Sequence, residues 1–156
     1  MQSGEGDYQG FTTLSAHGKR FLRRNFMKTL RVDMTTMNIN SEDSAEALAE
    51  YGGRGFIAEI LTREVPPTCD PLGPDNVIIF GPGLLAGTAF PCTARMTITA
   101  KSPLTGIFGD SNGGGFFPAR LRQAGYDHVV ITGAADKPAA LYIEKGKKPE
   151  IVDAAD

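Results

Sequence analysis

"DSNGGGFFPARLRQAGYD", residues 110–127, decides how the second half of this chain is read. Gly113, Gly114 and Gly115 stand directly before an apolar, helix-like run. Glycine costs backbone entropy on folding, so three in a row imply a need for the conformations or the close approach that only glycine allows. A helix is expected from about Phe116 to Ala124, closed by Gly125 as a left-handed residue just past its end. Two readings of the glycines stay open. Their free backbone N–H groups, reinforced by the helix dipole, can hold a phosphate or another anion. Alternatively the run is a tight strand-to-helix turn without a ligand. The spacing is neither GxGxxG nor GxxxxGK, so the common dinucleotide and P-loop signatures are excluded.

Outward from this stretch, the pattern turns to strands. "HVVITG" (128–133), "AALYIEK" (139–145) and "EIVDA" (150–154) follow the helix, separated by "ADKP" and "GKKP" turns. Before it lie "ARMTITA" (94–100), which alternates, the turn "KSPLTG" (101–106) and a further strand in "IFGDS". "VIIFGPG" (77–83) reads as a short buried strand. "PPTCDPLGPDN" (66–76) holds four prolines and is a loop. In "RGFIAEILTREV" (54–65), Phe56, Ile57, Ile60 and Leu61 share one helical face. An earlier helix is expected over "EDSAEALAEY", with Ser41 as N-cap and Gly52 and Gly53 at its end. "KTLRVDM" (28–34) reads as a strand, and "TTMNIN" as a turn into a second one. The expected class is α+β: two mixed β-sheets with a few short helices.

The 156 residues suit one domain, and 41% hydrophobic content suffices for a core. A formal net charge of -2 argues against a general nucleic-acid binder, and no apolar run approaches a membrane span. Cys69 and Cys92 form neither a CxxC nor a Cys/His cluster, which fits a reducing cytoplasm and excludes a disulfide scaffold. Residues 1–27 read as a flexible or partner-packing polar extension; the basic "KRFLRRNFMK" (19–28), with Phe21, Leu22 and Phe26, is suited to packing on a neighbour, the alternative being a patch for an anionic partner or surface.

Few side chains carry chemistry by themselves. Asn112 can offer an amide oxygen to Mg²⁺, but asparagine is also common in turns. Arg95, opening the alternating strand, can present its planar fork to a phosphate or simply be solvated. Arg54, between glycines, can face a ligand or leave a helix terminus, and Cys92 precedes Arg95 closely enough to lie near its ligand. Asp110 and Asp127 flank the helix as a conceivable acid pair, while His17 and His128 are too isolated for a metal site. No catalytic acid, base or nucleophile emerges.

The blocks "GGRG", "DPLGPDNVIIFGPGLLAGT", "ARMTITAKSPLTG", "NGGGFFPARLRQAGYD" and "VVITGAADKPAALYI", in this order, resemble the N-terminal domain of the tungsten-containing aldehyde:ferredoxin oxidoreductase family. The resemblance implies a pseudo-two-fold base domain over residues 28–156, incomplete at its C-terminus, on which a tungsten (or molybdenum) bis-pterin rests. It implies a magnesium ion between the two pterin phosphates and a 4Fe–4S cluster supplied by missing domains or a partner chain. Ferredoxin or an electron-transfer subunit would accept the electrons of a small aldehyde. By the same resemblance Arg95 pairs with the pterin system, Asn112 is a magnesium ligand, and the backbone at Gly113, Gly114 and Gly115 approaches a pterin phosphate. The chain departs from the family pattern at Thr93 and Ala94 before Arg95, at Gly113, where many members have serine, and at Pro118 in the first helical turn. Other readings are a tungsten subunit of a benzoyl-coenzyme A reductase type, a non-catalytic assembly module, and a simple phosphate-ligand domain.

Overall fold

A computed structural model describes residues 28–43 and 51–155. Ten elements follow one another: β1 (Lys28–Asp33), β2 (Asn38–Asp43), α1 (Arg54–Glu64), β3 (Val77–Pro82), β4 (Arg95–Lys101), β5 (Phe108–Gly114), α2 (Phe116–Ala124), β6 (His128–Thr132), β7 (Ala139–Tyr142) and β8 (Glu150–Asp153). Six strands form one mixed sheet in the order β2-β1-β6-β3-β4-β5, and β7 with β8 forms a small antiparallel one. The expected α+β class of two sheets and short helices is the observed one. Among the described residues the one parallel pairing in the large sheet joins β1 to β6, with Leu30 opposite Val129 and Val32 opposite Ile131.

The β1–β2 hairpin explains one departure from the sequence reading. Asp33 Oδ1 accepts from the N–H groups of Thr35 (2.9 Å) and Thr36 (3.2 Å), which folds the chain back after β1. The returning strand runs through Ser41, which pairs with Leu30. Ser41 is therefore a strand residue rather than a helix N-cap, because ladder pairing with β1 satisfies its backbone; of the helix expected over 42–51, Glu42 and Asp43 continue the strand, and residues 44–50 lie outside the described residues. Residues 1–27, with the basic segment and His17, also lie outside them.

The two faces of the large sheet carry separate cores. On one, α1 buries Phe56, Ile57, Ile60 and Leu61 against Val77, Ile79 and Val130, each such side chain contributing about 1.5–3 kcal/mol on leaving water. Gly81 lets the helix sit close: a β-carbon there would lie 2.6 Å from Ile57 Cδ1 and 3.1 Å from the Gly53 carbonyl. At the far end of α1, Glu64 accepts two hydrogen bonds from Arg31 of β1 (2.7 and 2.6 Å). On the other face, Leu121 of α2 packs with Leu30, Val32 and Val129, and Leu141 and Ile151 of the small sheet, with Ile143 just past β7, extend that core. Among the described residues no helix is long and apolar enough to cross a membrane.

The turns "PPTCDPLGPDN" and "KSPLTG" are held from inside. Buried Lys101 points its ammonium at the carbonyls of Pro67 and Cys69, both at 2.6 Å. Asn76 bridges the same region, donating to the carbonyls of Pro71 (2.7 Å) and Lys101 (3.0 Å).

Candidate functional site

β5 is the edge of the large sheet, and α2 starts immediately after it. The antiparallel register with β4 sets Arg95 opposite Gly114, Thr97 opposite Asn112 and Thr99 opposite Asp110. Side chains alternate across a strand, so these six residues share one face. Thr97 is also opposite Gly81, against which Ile57 packs, so the polar row continues the face that α1 covers.

The row is connected. Thr97 Oγ1 donates to Asn112 Oδ1 (3.0 Å), and Asn112 Nδ2 donates to Asp110 Oδ2 (3.4 Å). The same Asp110 oxygen receives the guanidinium of Arg54, the first residue of α1. Thr99, 2% exposed, has a buried hydroxyl without a hydrogen-bond partner among the described residues. Arg95 is exposed and lies over Gly114: a β-carbon at Gly114 would sit 3.8 Å from Arg95 Cδ and 4.0 Å from Nη1.

The glycine run is not the tight turn that was one of its two readings. Gly113 and Gly114 are ladder residues of β5, opposite Met96 and Arg95, because cross-strand pairing outweighs glycine's weak strand preference. Only Gly115 links strand to helix. Its φ of 112° and ψ of -157° are rarely open to a side-chain-bearing residue. A β-carbon at Gly113 or Gly115 would meet nothing within 4 Å. Gly115 is therefore required by conformation, while no crowding among the described residues requires Gly113. The α2 N-terminus carries no side-chain cap, which leaves first-turn N–H groups for water or an anion. The lower end of α2 matches the expectation: Gly125, in the left-handed conformation, donates to Arg122 O (3.1 Å) and Tyr126 N–H to Leu121 O (3.2 Å).

Arg95, Asn112 and Gly114 thus meet on one face at the sheet edge, next to the helix N-terminus, while Gly113 lies on the opposite face with Met96. The set can present positive charge and hydrogen-bond donors to an anion. Asn112 Oδ1 retains a second lone pair for a cation beyond the one Thr97 engages. Asp110 and Asp127 do not form the conceived acid pair: Asp110 joins Arg54, and buried Asp127 joins Arg122 at 2.9 Å. Cys92 is exposed, with a φ of 61°, and Cys69 is buried. Among the described residues no group of three or more His, Cys, Asp and Glu side chains is placed to hold a metal ion.

His128 is a structural element. It is fully buried, its ring stacks on Phe56 with centroids 3.4 Å apart, and both nitrogens lack a hydrogen-bond partner among the described residues. Burial, aided by the positive charge of Arg122, pushes its pKa down to about 3, so the ring is neutral at neutral pH. Thr97 was missed by sequence reasoning, although its spacing of two from Arg95 in an alternating strand puts both on one face. The Arg54–Asp110 pair had no local signal, since it spans 56 positions.

The profile of the aldehyde ferredoxin oxidoreductase N-terminal domain matches residues 29–156. The chain belongs to the aldehyde ferredoxin oxidoreductase family. That is a family of oxidoreductase enzymes. The chain is 42% identical over 133 residues to a tungsten-containing aldehyde ferredoxin oxidoreductase of Pyrococcus furiosus, covering 84% of this chain and 22% of that protein. The corresponding protein of Thermococcus kodakarensis is 41% identical over the same length, again 84% of this chain and 22% of its own. A solved structure of the active site complex BamBC of benzoyl coenzyme A reductase, in complex with 1,5-dienoyl-CoA, superposes with a TM-score of 0.79 at 36% identity. That match covers 82% of this chain and 20% of the other. The chain therefore spans about a fifth of the length of the relatives it matches.

Proposed function

We propose that this chain is the cofactor-seating part of a tungsten bis-pterin oxidoreductase that oxidises an aldehyde to a carboxylic acid. The observation that carries the reading is Arg95. Its exposed guanidinium is without a partner among the described residues, lies over the bare backbone of Gly114, and stands beside an uncapped helix N-terminus. These features suit an anionic group such as a pterin phosphate. When bound, the tungsten pterin supplies the two-electron chemistry by which aldehyde and water become acid, two protons and two electrons. This chain's own residues bind and orient. Arg95 offsets phosphate charge, and the strand edge from Gly113 through Gly115 lets the phosphate approach the backbone. Asn112 offers an oxygen to a magnesium ion that neutralises the phosphates. Thr97 holds the Asn112 amide in place.

Proton transfer, the ligands of a 4Fe–4S cluster and the contact with ferredoxin belong, in this reading, to further domains or a partner subunit in the cytoplasm. The likeness to the benzoyl coenzyme A reductase complex favours a second reading, in which the same seat serves a reductase acting on a coenzyme A thioester. Elemental analysis of the complete protein from tungstate-grown cells tests the seat. Stoichiometric tungsten with magnesium, sharply reduced by Arg95→Met, supports it; a tungsten content unchanged by that substitution contradicts it. Aldehyde-dependent against thioester-dependent electron transfer then separates the two readings.

A further inference from the structure

A carboxylate beside an anion seat needs an explanation. Asp110 lies two residues before Asn112 on the same face of the edge strand, its side chain 26% exposed, where its charge would repel a phosphate and compete for the phosphate's cation. We infer that Arg54 is a positioning residue that clamps Asp110: it neutralises the carboxylate and fixes it as the acceptor that orients Asn112. The inference rests on the cofactor-seat reading above.

Two observations support it. First, the ion pair and the hydrogen bond converge on one atom, Asp110 Oδ2, which takes both the Arg54 guanidinium and Asn112 Nδ2. A carboxylate only accepts, so it selects which end of the Asn112 amide faces it. The NH₂ end turns to Asp110, and the oxygen is directed to the Thr97 hydroxyl at 3.0 Å. Second, Arg54 comes from a different element, the first turn of α1, whose place is fixed by Phe56 and Ile57 in the core. The clamp is thus anchored to the sheet by the packing of α1 rather than by the edge strand it serves.

A charge clamp and a simple brace differ in one respect. If Arg54 acts by neutralising Asp110, removing Arg54 alone is worse than removing both charges. If it only braces α1 against β5, the double variant is at least as impaired as the single one. The test measures tungsten and magnesium per protein in the complete enzyme from tungstate-grown cells, for Arg54→Met, Asp110→Asn, both together, Arg54→Lys and Asn112→Ala. Arg54→Met is expected to lower metal content about two- to fivefold, the range of an exposed ion pair. Arg54→Lys retains it, and Arg54→Met with Asp110→Asn recovers it. A double variant as depleted as Arg54→Met overturns the inference. So does an Arg54→Met protein with full metal while Asn112→Ala loses it, an outcome that leaves the seat reading intact. Unchanged metal in Asn112→Ala removes Asn112 from the seat, and the clamp with it.

Discussion

Acidification should destabilise this domain through one buried ring. His128 is stacked on Phe56 beneath α1, and among the described residues the positive charge acting on it is that of Arg122, itself paired with Asp127. Its pKa falls from 6.5 to about 3 on folding. Between these values the unfolded chain binds a proton that the folded one refuses, so stability is complete above pH 6.5 and is lost as pH falls. At pH 5 the deficit spans 1.5 pH units, or about 2 kcal/mol at roughly 1.4 kcal/mol per unit. For a domain of this size that corresponds to a thermal midpoint lower by about 4–8 °C. Urea or thermal denaturation at pH 7.5 and pH 5 measures the difference in the native protein and in His128→Leu, which cannot take the proton. The native protein should lose about 2 kcal/mol between the two pH values and the variant far less. Equal losses in both would refute the assignment of the acid sensitivity to His128.

Four further substitutions probe how the site is supported. Arg122→Met should cost about 3–5 kcal/mol in urea denaturation, because it strands buried Asp127 without its cation and removes the donor to the carbonyls of Gly83 and Leu84. Lys101→Met leaves the Pro67 and Cys69 carbonyls without their donor and should lower stability by about 1–3 kcal/mol in the same assay. Gly115→Ala should cost about 1–3 kcal/mol through its φ of 112°, whereas Gly113→Ala, facing open space, should leave the midpoint nearly unchanged while lowering tungsten content.

The local elements were legible because their signals are local. Helix α2 ends where Gly125 permits a left-handed residue, and α1 shows its buried face at helical spacing. Non-local pairing was not legible. The glycines at 113 and 114 looked like a turn because nothing in their sequence announces Met96 and Arg95 as ladder partners. Ser41, followed by acids and alanines, has the composition of a helix start, and only β1 across the hairpin makes it a strand residue. Arg95 and Asn112 were found as candidates, but their shared face follows from register. The ion pairs that consume Asp110 and Asp127 depend on how α1 and α2 pack.

The central claim is that the edge of β5 and the start of α2 seat a pterin phosphate. Anomalous diffraction at the tungsten edge from crystals of the complete protein, with refined density for the pterins, locates that group directly. The account predicts a phosphate within hydrogen-bond distance of the Arg95 guanidinium and the backbone at Gly113–Gly115, with a magnesium ion on Asn112. A bis-pterin bound elsewhere, with Arg95 and Asn112 facing only solvent, would contradict it.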